Sequence, residues 1–186
     1  MLKSQVFIAK GDAPWYNRYY KSHVVSIDES ISGQATVICD GNVTDMTDMF
    51  SDCPILTSID LSNFNTSNVT IMSGMFVWCS NLASINLSNF DTSKVIDMTS
   101  MFDGCSNLTT LDLSSFDTSN VKDMYAMFYD CSNLTTIKGV IDMKSCVDCK
   151  IMFRYCSKLK NVKIKNPPLD FERYSGLSSS QYTIVS

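Results

Sequence analysis

The stretch Val95–Asn120, VIDMTSMFDGCSNLTTLDLSSFDTSN, follows directly on Val69–Lys94, VTIMSGMFVWCSNLASINLSNFDTSK, and 14 of the 26 aligned positions are identical. Working outward, the same line begins at Val43, Val69, Val95 and Val121, and a degenerate fifth copy begins at Cys146. The pattern is V-x-x-M-x-x-M-F-x-x-C-x-x-L-x-x-I/L-x-L-x-x-F-D-T-S-N. A residue type that recurs once per unit stacks on itself in space, because each unit buries its apolar edge on the next. Nine of the eleven methionines fall on two phases, Met46, Met72, Met98 and Met124, then Met49, Met75, Met101, Met127 and Met152. Cys53, Cys79, Cys105, Cys131 and Cys156 share a third phase, and Phe50, Phe76, Phe102, Phe128 and Phe153 a fourth. Phe64, Phe90 and Phe116 share a fifth.

Spacing inside a unit sets the expected local structure. Val95, Met98, Met101/Phe102 and Cys105 step by threes and fours, which predicts a short helix. Asn42 with Asp45, and Asn120 with Asp123, read as its N-cap and acidic third residue, and Gly104 as its end. Leu111 and Leu113 step by two, which predicts a strand pairing in parallel with its neighbours. The expected fold is an α/β repeat: a leucine-rich-repeat-like right-handed solenoid of about five coils, with a parallel sheet on one face and short helices on the other. Residues 1–41 lie outside the repeat and are read as an N-terminal capping or docking segment. Residues 42–164 form the solenoid, and residues 165–186, where Pro167 and Pro168 remove strand donors, a C-terminal cap.

The period of 26 lies inside the 20–29 range of leucine-rich repeats, and Leu108-x-x-Leu111-x-Leu113 matches their strand core. NVTDMTDMFSDCPILTSIDLSNFNTS, Asn42–Ser67, resembles the 26-residue repeat of bacterial surface proteins, a relative of the BspA-like leucine-rich repeats. The resemblance covers about residues 42–164. It implies non-enzymatic recognition, such as adhesion to a host or neighbouring cell, at the cell surface or outside it. This sequence departs from common leucine-rich repeats by placing phenylalanine after the strand where an Asn ladder is usual. The fifth unit departs further, with Cys146 and Cys149 in place of Val and Met.

Composition narrows the function classes. The chain has 186 residues, 45% hydrophobic and 18% charged, enough for one packed domain. A net charge of −4 argues against nucleic-acid partners. No apolar run approaches the ~20 residues of a membrane helix, so no membrane insertion is expected. At the N-terminus only Val6–Ala9 is apolar, too short for a signal peptide, which leaves a virion or cytoplasmic location as the alternative. Charge is divided along the repeat. Eleven Asp and two Lys lie between Val43 and Asn133, and eight Lys/Arg and two Asp between Lys138 and Lys165.

No catalytic constellation is evident. The single histidine, His23, lies outside the repeat, and no glycine-rich phosphate loop or H-E-x-x-H occurs. No metal or cofactor is expected. Cys146-x-x-Cys149 with Cys156 invites a metal or disulfide reading, but the repeat register sends these positions inward as small apolar residues. The five-cysteine phase is read as stacked free thiols, since parallel side chains point the same way. The sequons at Asn65, Asn68, Asn107 and Asn133 are by-products of polar turns. Expected ligand-binding positions are the outward columns of the sheet: Ser58, Ser84, Thr110 and Thr136, then Asp60, Asn86, Asp112 and Lys138. A third column is Ser62, Ser88 and Ser114. Trp78, Tyr125, Tyr129 and Tyr155 make an alternative patch on the flanking side. Trp15, Tyr16, Tyr19 and Tyr20 are candidates for docking. The partner is then a protein or carbohydrate on a cell surface, or, in the rival reading, neighbouring subunits of a larger assembly such as a virion.

Overall fold

The computed structural model describes residues 43–61 and 64–186 in full, and the backbone of three earlier strands. Those are β1 (Gln5–Lys10), β2 (Val24–Asp28) and β3 (Gln34–Cys39). Each repeat unit then supplies one three-residue strand: β4 (Ser58–Asp60), β5 (Ser84–Asn86), β6 (Thr110–Asp112) and β7 (Thr136–Lys138). The C-terminal part adds β8 (Ile141–Asp142), β9 (Val162–Lys165), the short helix α1 (Phe171–Ser175) and β10 (Tyr182–Ile184).

The repeat strands pair in parallel and in the register of the sequence repeat as two separate pairs, β4 with β5 and β6 with β7; β5 and β6 belong to different sheets, so the single parallel sheet expected from the sequence is divided. Ile59 lies beside Ile85, and Leu111 beside Ile137. β9 pairs in parallel with β8 on one side and β10 on the other. β1 runs antiparallel to β4, with Ala9 opposite Ile59. The sheets are small and none closes into a barrel. A second line of contacts runs through single parallel bridges, Asp45 to Ile71, Ile71 to Asp97, Asp97 to Asp123 and Asp123 to Asp148.

The expected helices are absent. Among the described residues the only helix is α1, and the V-x-x-M-x-x-M-F segment is a ribbon of turns. The reason lies in where its backbone donors go. Met72, Gly74, Phe76 and Trp78 donate their N–H groups to the carbonyls of Asp97, Thr99, Met101 and Asp103, at 2.7–2.9 Å, one unit further on. The same alternate-residue pattern links Met46, Asp48, Phe50 and Asp52 to the second unit, and Met98, Ser100, Phe102 and Gly104 to the fourth. A helix needs those donors for bonds four residues back, so the two arrangements exclude each other. Between them, short turns close locally, as where Met75 N–H donates to Met72 C=O.

Two positions per unit hold left-handed backbone. One series is Asp48, Gly74, Ser100, Ala126 and Ile151, and the other Asp52, Trp78, Gly104, Asp130 and Tyr155, with φ between 51° and 72°. Gly104 is thus one member of a column and not a helix end. Left-handed backbone costs roughly 1 kcal/mol or more at each non-glycine residue, and the bonds between units hold it in place. The expected caps are also different. Asp45, Asp97, Asp123 and Asp148 accept the N–H two residues on through Oδ1, closing side-chain turns.

The interior is the set of phases read from the sequence. The Val, Met, Phe, Cys and Leu residues at these phases of the first four units are buried, while Ile85 on the I/L phase is half-buried. Phe50, Phe76, Phe102, Phe128 and Phe153 stack nearly parallel, with centroids 5.2–5.8 Å apart. Such pairs contribute about 0.5–1.5 kcal/mol each beyond their burial. Phe90 stacks on Phe116 at 6.0 Å. In the fourth unit one residue is deleted, Ile141 is buried at the end of that second row, and Gly139 bears φ +95°. A Cβ on Gly139 would lie 2.7 Å from Leu113 O, so only glycine fits.

The cysteines do more than fill volume. Cys79, Cys105, Cys131 and Cys156 each donate a thiol hydrogen bond to the phenylalanine carbonyl of the preceding unit, at 2.9–3.2 Å. Cys79, Cys105, Cys131, Cys146, Cys149 and Cys156 are free thiols. Cys149 is buried and Cys146 half-buried.

The FDTSN turn carries a buried polar ladder that its composition does not announce. Thr66, Thr92 and Thr118 are 1–2% exposed. Thr92 Oγ1 donates to Asp117 C=O at 2.9 Å and accepts from Asp117 N–H at 2.8 Å. Thr66 does the same with Asp91, and Thr118 with Asp142. An Asn ladder exists as well, displaced from the expected place: Asn107 donates to Asn81, Asn81 to Pro54 C=O and Asn133 to Ser106 C=O.

The chain after the repeat completes these rows. Ile151 and Phe153 donate their N–H groups to Tyr174 and Ser175 C=O, at 2.6 and 2.7 Å. Thr92→Val keeps the shape and removes both hydrogen bonds, leaving the part-buried Asp117 N–H and C=O without these partners. It should lower the unfolding free energy by about 2 kcal/mol or more, whereas Thr92→Ser should cost clearly less. Urea unfolding followed by circular dichroism checks this; equal losses would show that the hydroxyl is unimportant.

Candidate functional site

Two surfaces merit comparison, the strand columns and the aromatic turn side. On the strand side, β4–β7 place Ser58 beside Ser84, Asp60 beside Asn86, Thr110 beside Thr136, and Asp112 beside Lys138. Seven of these eight are exposed and Ser58 is half-buried, because the intervening Ile59, Leu111 and Ile137 point inward and fix the alternation. The face is small, regular and already engaged with itself. Asn86 and Asp112 accept the N–H of Ser88 and Ser114. Lys138 Nζ lies 3.5 Å from Asp112 Oδ2. The Ser114 hydroxyl and N–H beside Asp112 hold its carboxyl below the ordinary range. Asp91 and Asp117 are lowered in the same way by Ser93 and Ser119. Ser62, and the docking candidates Trp15, Tyr16, Tyr19 and Tyr20, lie outside the described residues, as does His23.

On the turn side the four aromatics separate. Tyr125 is exposed on its own phase. Tyr129 and Tyr155 meet edge to face at 5.2 Å, and the Arg154 guanidinium lies 5.2 Å from the Tyr155 ring centre. Trp78 is 65% exposed on left-handed backbone, φ 63°. It edges a groove of about 420 Å³ whose lining includes Tyr129, Asp52, Asp103, Gly104 and Asp130.

Position in the repeat explains this groove. Asp52, Trp78, Gly104 and Asp130 are successive members of one left-handed column, so they lie one unit apart. Gly104 has no side chain and leaves a notch between Trp78 and Asp130; a Cβ there would lie 3.7 Å from Trp78 Cδ1. Asp103 and Tyr129 are half-buried in the adjoining column. Burial, and then the neighbouring Asp130 charge, push the Asp103 carboxyl up to about 6. The sequence reading finds Trp78 and Tyr129 but misses the three carboxylates. Their phases can be followed through the repeat just as those of the aromatics can.

Among the described residues no three His, Cys, Asp or Glu side chains gather as a metal site, and no helix is long and apolar enough to cross a membrane. Cys146 and Cys149 are near neighbours. The interaction with Cys149 and burial raise the Cys146 thiol, while Cys149 is lowered by Cys146.

Because the folded state disfavours the charged form of Asp103, its contribution opposes folding above pH ~6 and vanishes below the unfolded value of 3.8. Asp103→Asn should therefore melt about 1–3 °C above the wild type at pH 7.5. The gap should shrink to roughly half as the pH falls to 5 and close only below the unfolded value of 3.8; thermal melts at pH 7.5 and 5 check this, and a wild type more stable at pH 7.5 would contradict it.

No match is found among curated proteins or among solved structures. Residues 41–166, well over half of the chain, match the family model described as Mycoplasma protein of unknown function, DUF285, and the chain belongs to that repeat family.

Proposed function

We propose that this protein is a non-enzymatic recognition module, built as one right-handed leucine-rich-repeat-like solenoid of about five coils with kinship to the BspA-like repeats. It presents a sheet face to a protein or glycan on a cell surface, and so acts in adhesion. The carrying observation is the exposure of Ser84 and Asn86 on β5 and of Thr110, Asp112 and Thr136 on the paired strands β6 and β7, at the same repeat positions. Extended faces of this kind suit ligands that repeat or that span several units. The side chains recur by period and do not converge into a nucleophile, base and orienting group, which favours binding over catalysis.

The test is to pass the labelled chain over a glycan array and over intact cells, beside Ser84→Arg with Thr110→Arg. These bulky, charged changes leave the inward positions untouched. The module should be retained by a definite ligand class, and the double variant should lose retention while keeping its melting temperature. Equal retention of both proteins would remove the sheet face from the proposal.

A structural role in a larger assembly is the second reading, favoured by the division of charge. Lys158, Lys160 and Lys163 are exposed in the basic part, away from the acidic units. Changing the three to Glu should abolish assembly at low salt if this reading holds, and should leave sedimentation unchanged if it does not.

A further inference from the structure

We propose that the notch at Gly104, between the Trp78 indole and the carboxylates of Asp103 and Asp130, is a binding site for an arginine side chain carried by a basic segment of a protein partner. The proposal concerns a different surface from the sheet face and does not depend on it.

The repeat acts as its own control. The column holding Trp78 also holds Asp52, Gly104, Asp130 and Tyr155, all at positive φ. The fold accepts aspartate or glycine there, so it has no need of a tryptophan. A bulky residue in left-handed backbone that stays 65% exposed returns little packing for its strain. The Asp103 column likewise holds Ser51, Val77, Tyr129 and Arg154 in other units. A half-buried carboxylate set against Asp130 is therefore not a structural requirement. Tryptophan and carboxylates are placed together where the scaffold asks for neither.

Their chemistry selects a cation. The groove is lined by Asp52, Asp103 and Asp130, with the Trp78 and Tyr129 rings, and among the described residues no lysine or arginine lines it. An ammonium or guanidinium over an indole gains a cation–π interaction, and nearby carboxylates add charge-assisted hydrogen bonds. Guanidinium suits the site better than ammonium, since its planar fork can stack on the ring and still reach the acids. A bound cation would also relieve the repulsion from Asp130 that, after burial, helps push the Asp103 carboxyl up. A neutral sugar could use the indole but would leave the carboxylate charges uncompensated. The groove volume of about 420 Å³ fits one or two side chains and not a folded surface.

The experiment titrates the full chain with an acetylated, amidated (Arg-Gly)4 peptide by calorimetry at low salt, and with an N-acetylglucosamine tetramer beside it. The peptide should bind saturably. Trp78→Gly, and separately Asp103→Asn with Asp130→Asn, should each weaken it about tenfold. Asp91→Asn with Asp117→Asn removes the same charge at another place and should change affinity less than about twofold. Tyr129→Val, which copies Val77 of the second unit, serves if Trp78→Gly does not fold. Equal weakening by the Asp91/Asp117 pair would reduce the effect to general charge and overturn the site. Binding insensitive to Trp78 and Tyr129, or binding of the tetramer in place of the peptide, would overturn it too. Concentration-dependent self-association of the chain alone, lost in Trp78→Gly, would assign the notch to a second copy and refute a separate basic partner.

Discussion

The structure depends on one constraint: in the turn segment, every second N–H donates to the unit that follows. Phe76 to Met101 and Phe102 to Met127, both at 2.9 Å, are representative. A single unit therefore leaves four donors unsatisfied, and an isolated unit has no way to pair them except by becoming something else. The penalty for burying unpaired backbone groups is of the order of 1–3 kcal/mol each, so stacking is obligatory and not merely favourable. The side-chain ladders follow from the same geometry. Once the backbones are in register, like residues must lie over like, and Phe, Met, Cys and Thr rows result.

The rows divide the work. Phenylalanine and methionine supply area, and the phenylalanine rings add stacking. The threonine hydroxyl takes up a carbonyl outside the turn bonds, Thr92 with Asp117 C=O, while the cysteine thiol gives a second donor to a carbonyl that already closes a turn: Phe76 C=O accepts both Cys79 N–H and the Cys105 thiol. Cysteine fits because it is small, tolerates burial and still donates weakly. Burial raises the Cys105 thiol far above its ordinary range, which keeps it protonated and suited to that donor role.

Much of this is legible in the sequence. The 26-residue period determines which residues point inward, and the triplets around Ile59, Leu111 and Ile137 are parallel strands in the register of the repeat. The expected helices fail for a physical reason. A ribbon of turns also brings every third or fourth residue to one side, so Val95, Met98, Met101/Phe102 and Cys105 satisfy both templates. The distinguishing signal is turn chemistry. Asp48 and Asp52, then Gly74, Gly104 and Asp130, occupy two phases four residues apart, at places where a helix would prefer alanine or leucine. The threonine ladder is hidden because FDTSN looks solvated. Its one clue is that Thr, together with Phe and Ser, stays fixed in FNTSN, FDTSK and FDTSN while the second and last positions change. The sheet columns are legible from alternation alone. That Asn86 and Asp112 spend acceptors on their own turns is not, since it depends on backbone direction after the strand. The groove at Gly104 emerges only when the columns are laid side by side in space.

Through-hydrogen-bond scalar couplings on the labelled chain test the central claim most directly. The alternating ladder predicts a correlation from the Phe76 amide nitrogen to the Met101 carbonyl carbon, 25 residues away, and likewise from Phe102 to Met127. Correlations from Phe76 to Met72, and from Phe102 to Met98, would mean that each unit satisfies itself as a helix, and obligatory stacking would be wrong.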